Sequence, residues 1–421
     1  MGVFINLYIT YIIGGKVMKI ALLGYGTVGS GVVEVINSNK ESIEKRVGKA
    51  IDIKYILDLR EFPGDAINDL IVHDFDTIIE DEEVEIIAEA MGGVEPAYTF
   101  AKASLSSGKS YVTSNKELVA LHGAELLELA KDKNVNFLFE ASVGGGIPII
   151  RPLNESLTAD EIYEITGILN GTTNFILTKM KNEGRDFEDV LKEAQELGYA
   201  EKNPAADVEG YDACRKIAIL ASLALGQHVN FEDIPTEGIT KITSEDMTYA
   251  EKLGYCIKLL GTCQKQENSI FARVSPMMIP LEHPLAMVSD VFNGIFVKGN
   301  VIGDVMFYGR GAGKLPTASA VVADIVDAAR HEGTNIITLW DKEKIALKDK
   351  FKVKVRYFVR IKGIASEMAA KACDAFGEVE EVTMLDDEFA FITDIMTEGE
   401  FAERIRQLDD IEVLSRIRVE K

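Results

Sequence analysis

The stretch "ALLGYGTVGSG" constrains the fold of this chain more than any other feature. It places Gly24, Gly26 and Gly29 in a G-x-G-x-x-G pattern, directly after an apolar run and at the start of a helical pattern. In such a turn the first glycine permits a tight bend, the second lets a pyrophosphate approach, and the third permits close packing of helix on strand. We therefore predict a strand, a phosphate-binding turn that includes Thr27 and Val28, and a helix.

Short apolar runs alternate with amphipathic helical stretches from Met18 to about Phe139. The runs are "KIALLG", "IDIKYILD", "VEIIAEAMGG", "SYVTSNK" and "VNFLFEAS". Continuous apolar strands separated by helices are typical of a parallel sheet that is covered on both faces. We therefore expect a Rossmann-type, doubly wound α/β domain over residues 18–140 that binds a dinucleotide.

The pattern then changes to longer helices with β-rich runs such as "EIYEITGIL" and "IFARVSPMMI". This predicts an α+β domain over 141–315, which we interpret as a domain for substrate binding and dimerisation. The stretch "LPTASAVVADIVDAARH" predicts a helix over about 316–335 with its N-cap at Thr317 or Ser319. This helix is expected to return to the first domain.

Both ends of the chain carry separate predictions. Residues 1–17 are interpreted as an extension that is either an artefact of start choice or an added edge strand, because "FINLYITYII" is too short to span a bilayer and has no basic residue before it.

After the charged linker "DKEKIALKDK", residues 351–421 show strand, helix, two strands, helix and strand. Two helices on one face of a small antiparallel sheet would give a ferredoxin-like domain.

The composition excludes several classes of function. With 68 acidic and 45 basic residues the formal net charge is -23, so the protein as a whole repels nucleic acid and anionic membrane surfaces. The four cysteines form no C-x-x-C pair and the five histidines lack ligand spacing, so no zinc ribbon and no catalytic transition metal is expected. This cysteine usage fits a reducing cytoplasm.

The end of the second predicted strand bears on the choice of dinucleotide. Asp58 would accept hydrogen bonds from the adenosine ribose of NAD, whereas Arg60 would meet the 2′-phosphate of NADP. A solvated strand end is the alternative for both residues. The sequence predicts a nicotinamide dinucleotide and leaves NAD and NADP open.

Three more segments are expected near the cofactor. "EAMGG" and "TSNKELVALHG" each follow an apolar run and should open on the carboxyl edge of the sheet, where Gly92 and Lys116 would face the ligand. "GRGAGKLPTASA" begins with Gly309 and suits a nest for phosphates or a closing loop. For Lys116 the alternative is an exposed lysine at the start of a helix.

A cluster of charges precedes an apolar helical run in "DVEGYDACRKIAILASLALG". Because charges are costly to desolvate unless they are paired, this cluster needs a structural or chemical reason. Asp212 and Lys216 are four residues apart and share one helix face, where a carboxylate can hold an ammonium at the edge of a dry pocket. With Glu201 and Asp207 just upstream, we favour an amino-acid site over an ordinary surface pair.

The chain resembles the homoserine dehydrogenase family from about Met18 to Arg330. The motifs that carry the resemblance stand in the family's order: "GYGTVG", "AMGG", "TSNKELVA", "EASVGGGIPIIRPL", "GILNGTTNFIL", "LGYAEKNPAADVEGYDACRKIAILA" and "GRGAGKLPTASAVVAD". The resemblance implies an NAD- or NADP-dependent enzyme that interconverts aspartate 4-semialdehyde and homoserine, on the route to threonine, isoleucine and methionine.

The resemblance also implies roles for individual residues. Lys216 and Lys116 would be catalytic, Asp212 would orient Lys216, and Glu201 and Asp207 would hold the amino group of the substrate. A further set would bind a structural sodium or potassium ion, mainly through backbone atoms: Glu140, Val143, Gly145 and Ile147.

The C-terminal pattern resembles an ACT domain, a module that senses threonine in related enzymes. It departs from that pattern where "KGIASEM" replaces the usual D-x-P-G turn after the first strand. Pairing of edge strands between subunits is the alternative role, and a homodimer or a higher homo-oligomer is expected.

Two other classes of protein compete with this interpretation. A related oxidoreductase would act on another small amino-acid aldehyde, because motifs do not reveal the size of a pocket. An amino-acid-sensing regulatory protein on an inactive scaffold would not need the glycine fingerprint, the two lysines and the acidic residues that this chain has.

Overall fold

The computed structural model describes residues 17–266, 269–408 and 410–420. The stretch "FINLYITYII" lies outside the described residues. The chain divides into two compact units. Within the described residues, unit 1 comprises 17–158, Leu225–His228 and Arg310–Glu343, and unit 2 comprises Ala159–Ala224, Val229–Gly309 and the chain from Lys344 onward.

The strands and helices of the described residues are numbered in chain order. The strands are β1 Met18–Leu23, β2 Ile51–Leu57, β3 Ile71–Val72, β4 Val84–Glu89, β5 Ser110–Thr113, β6 Phe137–Leu138, β7 Ile162–Ile168, β8 Gln227–His228, β9 Tyr255–Gln266, β10 Ser269–Pro280, β11 Phe292–Gly299, β12 Gly303–Arg310, β13 Asp341–Lys344, β14 Lys354–Lys362, β15 Val379–Glu381, β16 Glu388–Thr393, β17 Met396–Thr397 and β18 Val413–Val419. The α-helices are α1 Thr27–Ser38, α2 Lys40–Val47, α3 Asp76–Ile79, α4 Ala97–Ser106, α5 Lys116–Asp132, α6 Gly171–Glu183, α7 Phe187–Glu196, α8 Ala205–Val208, α9 Tyr211–Leu225, α10 Ser244–Lys252, α11 Lys314–Arg330, α12 Ala365–Phe376 and α13 Glu398–Ile405.

A parallel sheet forms the centre of unit 1, with strand order β3-β2-β1-β4-β5-β6. This is the order of a doubly wound fold, in which β1 and β4 flank the point where the winding reverses. Its strands are continuous apolar runs because helices cover both faces, and Ile20, Leu22 and Leu23 are fully buried. The predicted Rossmann-type sheet is confirmed, whereas the two-residue strand β3 was not predicted.

Helix α11 packs against α1 within unit 1. A Cβ at Gly31 would lie 2.8 Å from the carbonyl oxygen of Lys314 and 2.9 Å from the Cβ of Ala318. Because glycine has no Cβ, the two helices can approach this closely.

The predicted N-cap of α11, at Thr317 or Ser319, is wrong. The helix begins at Lys314, and its N-cap is Gly313. Pro316 therefore lies inside the first turn, where the missing N–H removes no helical hydrogen bond. The sequence pattern favoured side-chain caps and overlooked this earlier start.

Unit 2 contains a mixed sheet of order β12-β11-β7-β9-β10-β18-β14-β16-β15, with β17 beside β14. Strands β10 and β18 are parallel neighbours, because Met277 pairs with Arg418 and Met278 with Val419. The C-terminal segment therefore continues the sheet of the central part. Its order from β14 to β18 agrees with the predicted pattern apart from the added strand β17, and the ACT-like assignment stays a prediction.

Helix α9 is buried as its apolar sequence predicts, since every residue from 217 to 223 is buried. Its first turn carries Asp212, and Lys216 lies one turn further on. Within the described part of the chain, no helix combines the length and apolarity needed to cross a membrane.

Candidate active site

The glycine fingerprint forms the predicted strand, turn and helix. Gly24 adopts φ +93°, and a Cβ at Gly29 would lie 2.0 Å from the carbonyl oxygen of Gly24. A Cβ at Gly26 would meet nothing within 4 Å. The first and third glycines are therefore needed for the turn itself, whereas the second faces open space, which suits the approach of a pyrophosphate. Thr27 and Val28 begin α1, whose first turn holds no acidic residue that would oppose an anion.

Two glycine variants should separate these roles. We expect Gly29→Ala to lower the free energy of unfolding by about 1 to 3 kcal/mol, because its methyl group would overlap the backbone of Gly24. We expect Gly26→Ala to leave stability nearly unchanged and to weaken dinucleotide binding. Thermal unfolding and titration with NADPH and NADH measure the two effects. Wild-type nucleotide affinity in Gly26→Ala would show that the turn does not face the pyrophosphate.

Asp58 and Arg60 form an ion pair at the end of β2. Arg60 donates from Nε to Oδ1 of Asp58 at 2.9 Å and from Nη2 to Oδ2 at 2.9 Å, while the N–H of Tyr25 donates to Oδ2 at 2.8 Å. The guanidinium holds the pKa of Asp58 well below its usual range. The Asp58 carboxylate thus anchors the glycine turn, and Arg60, whose side chain is 60% exposed, can still turn toward a phosphate.

A cavity of about 870 Å³ adjoins this pair. Gly24, Gly26 and Asp58 line it together with Phe75 and Phe100. Cofactor sites combine apolar walls with a few placed polar groups, so this cavity suits the adenosine part of a dinucleotide.

The buried carboxylate of Glu89 orders the loop that contains Gly92. Its Oε1 accepts the N–H groups of Met91 at 2.5 Å and Gly92 at 3.1 Å, and its Oε2 accepts the Thr113 hydroxyl at 2.6 Å. Glu89 is fully buried, and these three donors satisfy both of its carboxylate oxygens. Glu89 was not among the predicted site residues, although an acidic residue at the end of an apolar strand in "EAMGG" was an available signal.

Lys116 begins α5 at the carboxyl end of β5 and is half-buried. The preceding residue, Asn115, caps the helix by accepting the N–H groups of Glu117 and Leu118, each at 3.1 Å. The Asn115 amide donates to the carbonyl oxygen of Gly93 at 2.5 Å. The structure therefore brings the Gly92 loop and the start of the Lys116 helix to one sheet edge, as the sequence predicts.

In unit 2, Lys216 and Asp212 form a buried ion pair. The Lys216 Nζ lies 2.8 Å from Oδ2 of Asp212 and 2.9 Å from the carbonyl oxygen of Leu169. The side chains of Lys216 and Asp212 are 11% and 7% exposed, so the alternative of an ordinary surface pair is wrong. An ammonium has three N–H groups, and these two contacts within the described part of the chain leave one for a substrate oxygen.

Asn170 connects this pair to Asp207. Its Nδ2 donates to Oδ1 of Asp207 at 2.7 Å and to Oδ2 of Asp212 at 2.9 Å. Its Oδ1 accepts the N–H of Thr173 at 2.9 Å and so caps α6. One amide therefore links the two carboxylates. Asn170 was not among the predicted site residues, although it lies in the motif "GILNGTTNFIL" and asparagine is a preferred helix N-cap.

Two other predicted site residues lie on a loop and on an edge strand. Glu201 is exposed on the loop between α7 and α8, where its backbone carbonyl accepts a hydrogen bond from Gln195. Gly309 lies in β12 and belongs to unit 2, whereas the fingerprint glycines belong to unit 1. Their assigned roles stay predictions.

The turn predicted to hold a monovalent cation is buried. Glu140, Val143 and Ile147 are at most 3% exposed, and Gly145 adopts φ +57° with its Cα packed against the backbone of Gly311. The Glu140 carboxylate accepts three backbone N–H groups, from Ile149, Ile150 and Arg151. Because the Glu140 carboxylate is occupied by these donors, an ion at this turn would depend on backbone carbonyl oxygens, which would suit an alkali ion better than a transition metal.

Among the described residues, no three His, Cys, Asp or Glu side chains are grouped so that they could hold a metal ion. A glycine-rich turn on a doubly wound sheet is typical of a dinucleotide-binding domain, and unit 2 holds a buried lysine–carboxylate pair. The two features, each in its own unit, are typical of a nicotinamide-dependent dehydrogenase. Comparison with protein families gives the particular family. Residues 24–140 match the NAD-binding domain of homoserine dehydrogenase, and residues 148–326 match the homoserine dehydrogenase domain. The chain belongs to the homoserine dehydrogenase family and is an NAD(P)-dependent oxidoreductase.

Curated and solved relatives match this chain over most or nearly all of its length. A homoserine dehydrogenase of Bacillus subtilis is 38% identical over 96% of this chain and 97% of its own length. A homoserine dehydrogenase structure from Thiobacillus denitrificans is 36% identical, with a TM-score of 0.88 over 96% of this chain and 99% of that one. A hyperthermophilic archaeal homoserine dehydrogenase in complex with NADPH is 30% identical, with a TM-score of 0.64 over 74% of this chain and 98% of that one.

Proposed function

We propose that the protein interconverts L-aspartate 4-semialdehyde and L-homoserine in the biosynthesis of threonine, methionine and isoleucine. The observation that carries the proposal is the buried Lys216 ammonium, held by Asp212 with one N–H left for a substrate oxygen. A positively charged donor in a dry site stabilises the negative charge that develops on an aldehyde oxygen during reduction. A nicotinamide dinucleotide, held by the glycine turn when bound, would supply or accept the hydride.

The residues of the chain then have distinct tasks. Lys216 donates a proton to the aldehyde oxygen or recovers it in the reverse direction, and Asp212 fixes the direction of that ammonium. Asp207 carries the charge that suits the amino group of the substrate, and Asn170 keeps it beside Asp212. The tasks of Lys116 in polarising the oxygen and of Glu201 in binding the amino group stay predictions from the family resemblance.

Both nicotinamide dinucleotides enter the proposal. Asp58 favours the ribose hydroxyls of NAD, but its carboxylate already holds Arg60, which suits the 2′-phosphate of NADP. The archaeal relative in complex with NADPH supports NADP as one cofactor.

The direct test is oxidation of L-homoserine by the full chain, followed by the absorbance of the reduced nicotinamide with NAD and NADP in turn. We expect turnover with at least one of them. Faster oxidation of another short hydroxy amino acid would favour a related oxidoreductase. Threonine binding without any turnover would instead favour a regulatory protein on an inactive scaffold.

We also propose that threonine acts as an effector at the C-terminal segment. A cavity of about 510 Å³ is lined by Glu209, Thr236 and Lys241 from the central part and by Ser415 and Arg416 from β18. Its acidic and basic groups suit the two charges of an amino acid. We expect threonine to change the rate of homoserine oxidation, and an unchanged rate at saturating threonine would contradict this role.

The proposal also includes a homodimer, a structural sodium or potassium ion and a cytoplasmic location. The edge strand β12 and the turn before it expose Val301 and Tyr308, which supports a covered edge in a dimer. The buried turn at Gly145 supports the ion, since carbonyl oxygens are its available ligands. The four cysteines are free thiols, which is consistent with a reducing compartment.

A further inference from the structure

The last strand of the chain is fastened to a segment of the central part. Arg418 of β18 donates to both carboxylate oxygens of Glu237, at 2.8 and 2.7 Å. Arg418 also donates to Oε1 of Glu398 at 2.8 Å, and Arg273 of β10 bonds the same carboxylate. Arg418 is 6% exposed, so Glu237 is held by a guanidinium that cannot easily move.

The segment 236–240 is held from two sides. The N–H of Glu237 donates to the carbonyl oxygen of Val274 at 2.8 Å, and the N–H of Ile239 donates to that of Val208 at 2.8 Å. A Cβ at Gly238 would lie 2.2 Å from the carbonyl oxygen of Val208. The segment therefore has no room to shift toward residues 208–210 without displacing them.

Residues 208–210 connect two parts of the candidate site. Asp207 directly precedes them, and α9, which carries Asp212 and Lys216, begins directly after them. Gly210 adopts φ +83°, and its carbonyl oxygen accepts the N–H of Cys214 at 2.9 Å in the first turn of α9. A displacement of this turn therefore changes the separation of Asp207 and Asp212.

We propose that Glu237 and Arg418 are positioning residues for the substrate site. Their ion pair holds segment 236–240 against residues 208–210 and so sets the places of Asp207 and Asp212. The inference rests on the proposed function, which supplies the substrate used in the kinetic test. Stabilisation alone is a weak reason for this cluster, because a buried ion pair gains little over well-packed apolar side chains.

The test compares Glu237→Ala with wild type in the full chain. Glu237 has a half-exposed side chain, so its truncation should leave the protein folded. We expect KM for homoserine to rise about tenfold or more, since small misplacements of binding groups are costly, while KM for the dinucleotide stays within about twofold. Glu237→Gln, which keeps one hydrogen bond to Arg418, should recover part of the effect.

Two further variants separate positioning from a general structural role. In Gly238→Ala the added methyl group would overlap the backbone of Val208. We expect KM for homoserine to rise while KM for the dinucleotide stays nearly unchanged. Glu412→Ala removes an exposed carboxylate that pairs with Lys362 in the C-terminal segment and should change neither KM. A purely structural role would lower the folded fraction of Glu237→Ala without splitting the two KM values.

Hydrogen exchange gives a readout that does not depend on turnover. We expect Glu237→Ala to speed amide exchange at residues 208–214, because the turn before α9 loses its support. Unchanged exchange there, or an unchanged KM for homoserine in folded Glu237→Ala, would overturn the inference. A wild-type protein that does not oxidise homoserine would refute the proposed function instead, and exchange alone would then decide the role of Glu237.

Discussion

Lys216→Ala is expected to lower kcat for homoserine oxidation by about 100-fold to 10,000-fold, the usual contribution of a positioned acid or base. The Lys216 Nζ is held by Asp212 and by the carbonyl oxygen of Leu169, and a water in the space left by alanine would bring no positive charge to stabilise the developing oxyanion. Steady-state kinetics with the preferred dinucleotide measure the loss.

Matched variants show whether the loss comes from the proton or from the charge. Lys216→Arg keeps the charge, but its guanidinium does not release a proton near neutral pH, so kcat should stay low. Arg215→Ala changes the neighbouring cation on α9, which stacks over Phe231, and should retain turnover within about threefold of wild type. Wild-type kcat in Lys216→Ala would refute the catalytic role.

Arg360→Met is expected to lower the free energy of unfolding by about 3 to 5 kcal/mol, because it leaves buried charges without a partner. Arg360 of β14 donates to Glu388 at 2.7 Å and to Asp246 at 2.9 Å, and all three side chains are at most 5% exposed. Denaturant unfolding measures the difference. Lys362→Met, two residues further along β14, removes an exposed pair with Glu412 and should cost at most about 1 kcal/mol.

The loss in Arg360→Met should depend on pH. Burial raises the pKa of Asp246, and the guanidinium of Arg360 opposes that rise. Without Arg360 the pKa of Asp246 rises further above its value in the unfolded chain. A carboxyl group whose pKa is raised by folding stabilises the folded protein at low pH, and this stabilisation is lost as pH rises through the raised pKa. The loss of unfolding free energy in Arg360→Met should therefore be larger at neutral pH than in mild acid. A deficit that grows on acidification would contradict this account.

The parts of the site that sequence reasoning found are local in the chain. The fingerprint glycines lie within six residues, and the contacts between them follow from the backbone of a single turn. Asp212 and Lys216 share a helix face because they are four residues apart. Helical and strand periodicity therefore sufficed to predict their arrangement, and the apolar run that follows indicated that α9 is buried.

The parts that sequence reasoning missed depend on partners far along the chain. Asn170 reaches Asp207 and Asp212, which lie 37 and 42 residues away. The linker "DKEKIALKDK" contains β13, which pairs with β8 through backbone groups that the charged side chains do not reveal. The start of α11 at Lys314 was missed because Gly313 caps the helix without a side chain.

The sequence by itself determined the doubly wound sheet, the phosphate-binding turn and the lysine–carboxylate pair, because each follows from periodicity or from spacing within one or two turns of chain. Only the tertiary structure decided that β18 joins β10 and that Arg418 reaches Glu237, 181 residues away. The physical reason is that strand pairing and buried ion pairs are chosen by competition among all charged and backbone groups. The spacing of residues within a short stretch of sequence does not show which distant groups pair.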